Sequence, residues 1–233
     1  MFLTTSGRLC GLALLCCTLL PIPRPTFAQP TSYPLDITNC DRVTTYAKPP
    51  ERAVSIGQGT TEILLSLGLA EHIVGTAIWL APLPAPLVDA GQAVPRIADN
   101  SPGFEAVLKA RPDFVAAQWI NDIAPDQARV GTFAQFDDFG ISTYVSPAEC
   151  AKSDFVAGSG DGARAQAWSD DLLNREITEL AQIFGVPARG ADLVAANADR
   201  IEVKIRKSCF DNSGILKAVF FVFQNQINRR GIF

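Results

Sequence analysis

Among its 233 residues the sequence has one histidine, His72, and one methionine, Met1. That shortage removes whole classes of chemistry. One imidazole cannot assemble the common zinc sets, and without imidazole or thioether clusters a direct transition-metal site has few donors to draw on. No serine–histidine–acid or cysteine–histidine arrangement can be drawn around His72, which follows Glu71 after a helical segment and reads as a surface residue. Paired carboxylates read as ordinary exposed charge, Asp137-Asp138 as a helix surface and Asp170-Asp171 as a helix start, so no catalytic set is expected and the chain is not read as an enzyme. Basic stripes are missing as well. With 20 Lys and Arg against 24 Asp and Glu, the formal net charge of -4 argues against a nucleic-acid partner. Long apolar runs are also scarce: Leu9 to Leu20 falls short of the roughly 20 residues that span a bilayer, and nothing later is long enough.

That short run has another meaning. Arg8 precedes it, Pro21, Pro23 and Pro25 break it, and Thr26-Phe27-Ala28 forms a small-x-small cleavage site before Gln29. Residues 1–28 are therefore expected to be a signal peptide directing the chain to the periplasm. Lipid anchoring at Cys16 or Cys17 is the alternative, although Leu15 is larger than the residue such a site usually takes. Cleavage leaves Cys40, Cys150 and Cys209 in an oxidising compartment, where at most one disulfide can form and three pairings stand open.

What the sequence does contain is an alternation of strand and helix signals. Leu35–Thr38 and Val43–Tyr46 read as a hairpin around Asn39-Cys40-Asp41. Ala53–Ile56 is a short strand ending in Gly57-Gln58-Gly59, and Thr60 or Thr61 can cap the helix that carries Ile63, Leu64, Leu65 and Leu67. Further strands are expected at 73–77, 113–117 and 141–145. Helices are expected from Ser101-Pro102 onward and through Phe133, Phe136 and Phe139. Two amphipathic helices follow, Trp168 to Phe184 and Ala188 to Lys207, and Ile215 to Phe223 is a last apolar strand. Short connections between such units predict an α/β fold, a parallel sheet flanked by helices in one Rossmann-like lobe. The glycine-rich loop at 157–162 has no spaced ligand series for calcium.

Gly57-x-Gly59 stands where a nucleotide fingerprint would, but Glu62 occupies the third glycine position and would repel a pyrophosphate. The loop still lies at the carboxyl end of a strand, where open α/β sheets bind ligands. Gln58, Trp79, Asn100, Gln118 and Trp119 all fall just past strand ends or in adjacent loops. Packing or exposure accounts for any one of them alone. As a set they offer indole faces and amides, which suit a ligand that brings its own metal donors. No resident cofactor and no protein-held metal are expected.

Several segments are similar to the iron-siderophore and cobalamin substrate-binding proteins of ABC importers. These are Lys48–Ser55, Thr61–Gly68, Ile73–Thr76, Phe104–Val115 with its Arg111-Pro112-Asp113 turn, and Phe139–Tyr144. The resemblance implies two α/β lobes joined by one long helix, with a chelate such as a ferric siderophore held between them. It implies ligand contacts from the loops holding Gln58, Trp79, Asn100 and Gln118-Trp119, and permease docking through Glu105. In these terms residues 33–185 are an N-terminal lobe, 186–208 the bridging helix, and 214–233 the first strand of a second lobe followed by an atypical tail. A monomer is expected, truncated relative to the family and impaired in binding. A periplasmic protein-interaction module or non-functional remnant is the alternative, and an α/β enzyme a more distant one.

Overall fold

The computed structural model describes residues 29–126, 128–150 and 169–210, with side chains given as far as residue 202. The expected signal peptide, the loop at 157–162, Trp168, the strand at 215–223 and the tail lie outside the described residues.

The chain opens with a hairpin, β1 (Leu35–Asn39) against β2 (Arg42–Tyr46). Cys40 and Asp41 take φ of 47° and 61°, the left-handed pair that matches strand twist in a two-residue turn. The strands that follow are β3 (Ala53–Ile56), β4 (Ile73–Ala77), β5 (Arg96–Ala98), β6 (Phe114–Ala117), the two-residue pair β7 (Ile123–Ala124) and β8 (Gly131–Thr132), and β9 (Ser142–Val145). Five of them form one parallel sheet in the order β5-β4-β3-β6-β9. The helices are α1 (Gln58–Ser66), α2 (Val88–Gln92), α3 (Phe104–Lys109), α4 (Phe133–Asp138), α5 (Pro147–Cys150), α6 (Asp170–Ile183) and α7 (Pro187–Phe210). The α/β fold expected from the alternation of elements is the one observed.

Alternation along β6 explains why the sheet needs two covers. Phe114 and Ala116 join Leu64, Tyr144, Ile177 and Leu180 on one face, while Val115 and Ala117 join Ile56, Val107, Ile123 and Phe136 on the other. At the amino end of the sheet the Asp113 carboxylate accepts from the Glu51 and Arg52 amides at 2.9 Å each. The Arg52 guanidinium in turn donates to the Arg111 and Ala110 carbonyls at 2.7 and 2.6 Å. This clasp locks β3 beside β6 and gives the Arg-Pro-Asp turn a structural purpose.

Some local expectations shift. Helix α1 starts at Gln58 with Gly57 as its cap, not at Thr60 or Thr61. Gly57 has φ of 109°, which turns the chain out of β3 without an extra residue, and the Thr61 hydroxyl lies inward on Gly57 O (3.0 Å) and Ser55 Oγ (2.9 Å). Helix α3 begins only at Phe104. Phe139 is 62% exposed, unlike Phe133 and Phe136, because α4 has already ended at Asp138. Strand β5 was not anticipated.

The free edge of β9 is closed by the hairpin. The Asn39 side-chain amide donates to Val145 O and accepts from Val145 N, both at 2.8 Å, completing two ladder bonds that an edge strand otherwise leaves open. Beside it Cys40 pairs with Cys150, which settles the open pairing. The bridge spans a sequence separation of 110 residues, and loops of that order gain about 2–4 kcal/mol from cross-linking. Reduction, or Cys40→Ser, should lower the unfolding free energy by about that amount in urea titrations; an unchanged midpoint would contradict the pairing.

Candidate functional site

The sheet order makes β3 and β6 neighbours although β4 and β5 lie between them in sequence, with their helices turned to opposite sides. Between their carboxyl ends lies the switch point where open α/β sheets take ligands. The tight β3–α1 turn shapes this point. A Cβ on Gly57 would stand 2.3 Å from Gln118 Cβ and 3.2 Å from Trp119 Cζ3, so the backbone itself is the floor against which these side chains pack. Gln118 N donates to Ile56 O at 2.8 Å, and Gln118 Oε1 accepts from Gly59 N at 2.7 Å, capping the first turn of α1 from the neighbouring loop.

The five expected residues all follow carboxyl ends of adjacent strands, but their side chains are engaged differently. Gln118 and Trp119 are half-buried and lie against Gly57. Gln58 is 6% exposed and turned inward: its Oε1 accepts from Leu80 N and Ala81 N at 2.8 Å each, and its Nε2 donates to Glu62 Oε1 at 2.9 Å. Trp79 donates its indole N–H to Thr76 Oγ1 at 3.2 Å, and the Arg96 guanidinium lies 4.6 Å from its ring centroid. Asn100 is exposed, beside Asp99, whose carbonyl accepts from Trp79 N at 3.3 Å. Gln58, Gln118 and Trp119 are thus brought together by the glycine turn, Trp79 is joined to them through the 78–81 loop, and Asn100 stands at the outer end of the row.

Beneath the row are buried carboxylates that sequence patterns did not reveal. Glu149 Oε2 accepts from Ile120 N at 3.4 Å. Glu176 accepts from Thr60 Oγ1 at 3.2 Å and Ser146 Oγ at 2.5 Å, joining the start of α1, the end of β9 and α6. Asp122 is fully buried; its Oδ1 accepts from Ser101 Oγ at 3.2 Å and lies 3.8 Å from Arg129 Nη1. Burial raises its pKa from the ordinary 3.8 to about 6, opposed by Arg129 and the Ser101 bond and reinforced by Glu149. Their partners come from separate loops, so only the folded chain brings them together. Among the described residues no group of three or more His, Cys, Asp or Glu could hold a metal ion. A separate cavity of about 490 Å³ between α6 and α7, lined by Leu173, Asn174, Ala198 and Ile201 among others, includes none of the five expected residues.

The sequence model of the periplasmic binding protein family matches residues 54–208. No curated protein matches the chain. Similar solved structures include a periplasmic binding protein from Veillonella parvula, 21% identical with a TM-score of 0.59, covering 76% of this chain and 54% of that one. A protein of an ABC-type Fe3+-hydroxamate transport system from Saccharomonospora viridis is 24% identical, TM-score 0.57, over 75% of this chain and 57% of that one. Staphylococcus aureus SirA, complexed with staphyloferrin B, is 14% identical, TM-score 0.51, over 77% of this chain and 52% of that one. At these identities the likeness is one of fold, and the chain spans about half the length of these proteins.

Asp122 has a measurable consequence. A carboxyl whose folded pKa is raised binds more protons in the native state between about pH 4 and pH 6, so its contribution to stability falls as pH rises through that window. At pH 7 the cost is of order 3 kcal/mol. Asp122→Asn, which mimics the neutral acid, should therefore stabilise the protein at pH 7 by up to about 3 kcal/mol, with the gain fading toward pH 4. Chemical denaturation across pH reads this directly, and a gain independent of pH would contradict it.

Proposed function

Since the chain belongs to the periplasmic binding protein family, we propose that it is the substrate-binding component of an ABC importer for ferric siderophores or a related iron chelate. The observation that carries this reading is the row of indole and amide groups at the β3/β6 switch point. Such a surface suits a cargo whose iron is already wrapped in its own donors. The ligand then needs flat apolar faces and a few hydrogen bonds, not protein carboxylates or imidazoles. The Fe3+-hydroxamate and staphyloferrin B proteins of like fold support the chemical class.

In this reading residues 33–185 form one wall of a ligand cleft, and helix α7, which covers nearly all of the expected bridge at 186–208, leads toward a second lobe. The protein acts in the periplasm after cleavage of residues 1–28, with the Cys40–Cys150 bridge suited to that compartment. Glu105, exposed in the first turn of α3, is the docking carboxylate for the permease. Gln118, Trp119, Trp79 and Asn100 face the cargo, with Gln58 beneath them.

The chain should bind a ferric tris-hydroxamate at this rim. Titration followed by tryptophan emission should show saturable quenching that Trp119→Phe reduces. No saturable change up to about 1 mM would contradict the function.

A further inference from the structure

Ile78 has φ of 62° and is only 8% exposed. A β-branched residue in the left-handed region is an outlier, and such conformations persist only where the surroundings over-determine them. Here the constraint is visible atom by atom. Immediately after Ile78, the chain places the backbone amides of Leu80 and Ala81 on the single oxygen Gln58 Oε1, both at 2.8 Å. The other side of the Gln58 amide is anchored by Glu62, one helical turn on in α1, at 2.9 Å. Two N–H donors on one side and a carboxylate on the other fix the orientation of the amide. Both acceptor positions of its oxygen are then used, along with one of its two N–H donors.

We propose that Gln58 is a positioning residue: its side chain holds the 78–81 turn in its strained form and thereby sets the Trp79 indole at the rim, without itself touching cargo. This deepens the chelate-binding reading and rests on it for its purpose. The preset indole is completed by Thr76 under its N–H and Arg96 against its face. A turn held in place before the ligand arrives spares binding the cost of ordering it.

The test is amide hydrogen exchange on the full chain without ligand, comparing wild type with Gln58→Ala and with a swapped pair, Gln58→Glu combined with Glu62→Gln. Leu80 and Ala81 are exposed, so their protection depends on the acceptor. Gln58→Ala should speed their exchange by about tenfold or more, while Val115 and Ala116 in β6 stay unchanged and report an intact fold. The swapped pair keeps an acceptor oxygen at position 58 and an amide donor opposite it at position 62, so it should retain most of the protection. Unchanged exchange at both amides in Gln58→Ala would overturn the proposal. A parallel titration with a ferric tris-hydroxamate separates the two ideas. Affinity lost in Gln58→Ala but largely kept in the swapped pair supports positioning, whereas equal loss in both with unaltered exchange marks a direct contact. Failure of wild type to bind would count against the function while leaving the exchange result intact.

Discussion

Where β3 ends, the chain must turn into α1 while the loop after β6 presses against its backbone. With φ of 109° and Gln118 Cβ 2.3 Å from any added carbon, position 57 admits glycine alone. Much of the carboxyl edge follows from this constraint. It brings Gly59 N onto Gln118, lays Trp119 against the turn, and starts α1 early enough that Gln58 points inward to the 78–81 loop. A side chain at Gly57 would push the β3 and β6 loops apart at the place where the sheet reverses its winding.

The two ends of the sheet do different work. Segments that carry the family resemblance, Lys48–Ser55 and Phe104–Val115, meet at the amino end in the Asp113–Arg52 clasp. The helical segment Thr61–Gly68 supplies core residues such as Leu64 and Leu67. These features build the lobe and contact no cargo in the proposed scheme. The proposed ligand rim lies at the opposite end, in short loops whose side chains can change without disturbing the clasp.

What was legible in the sequence follows the same division. Strands β3, β4, β6 and β9 announced themselves because each is a short stretch rich in apolar or β-branched residues, and α6 showed its Ile177 and Leu180 stripe. Strand β5 did not, since three residues beginning with Arg96 and pairing only with β4 carry no pattern. The rim positions were legible from strand ends, yet the direction of each side chain was not. Gln58 looked like a ligand contact from its place after a strand, and only the 78–81 loop folding back shows its amide occupied. Asp122, Glu149 and Glu176 were invisible for a related reason: their partners lie in loops far along the chain, and no local spacing encodes them.

The account turns on cargo lying at the carboxyl rim between β3 and β6. Ferric iron is paramagnetic and broadens nearby amide resonances, and a gallium chelate of the same ligand provides the diamagnetic reference. Titrating the pair into isotopically labelled protein should broaden amides of residues 57–59, 79–81, 99–101 and 118–121 while sparing Glu51, Arg52 and Asp113 at the far end of the sheet. Broadening centred instead on the α6–α7 cavity, or on the amino-end clasp, would contradict the account.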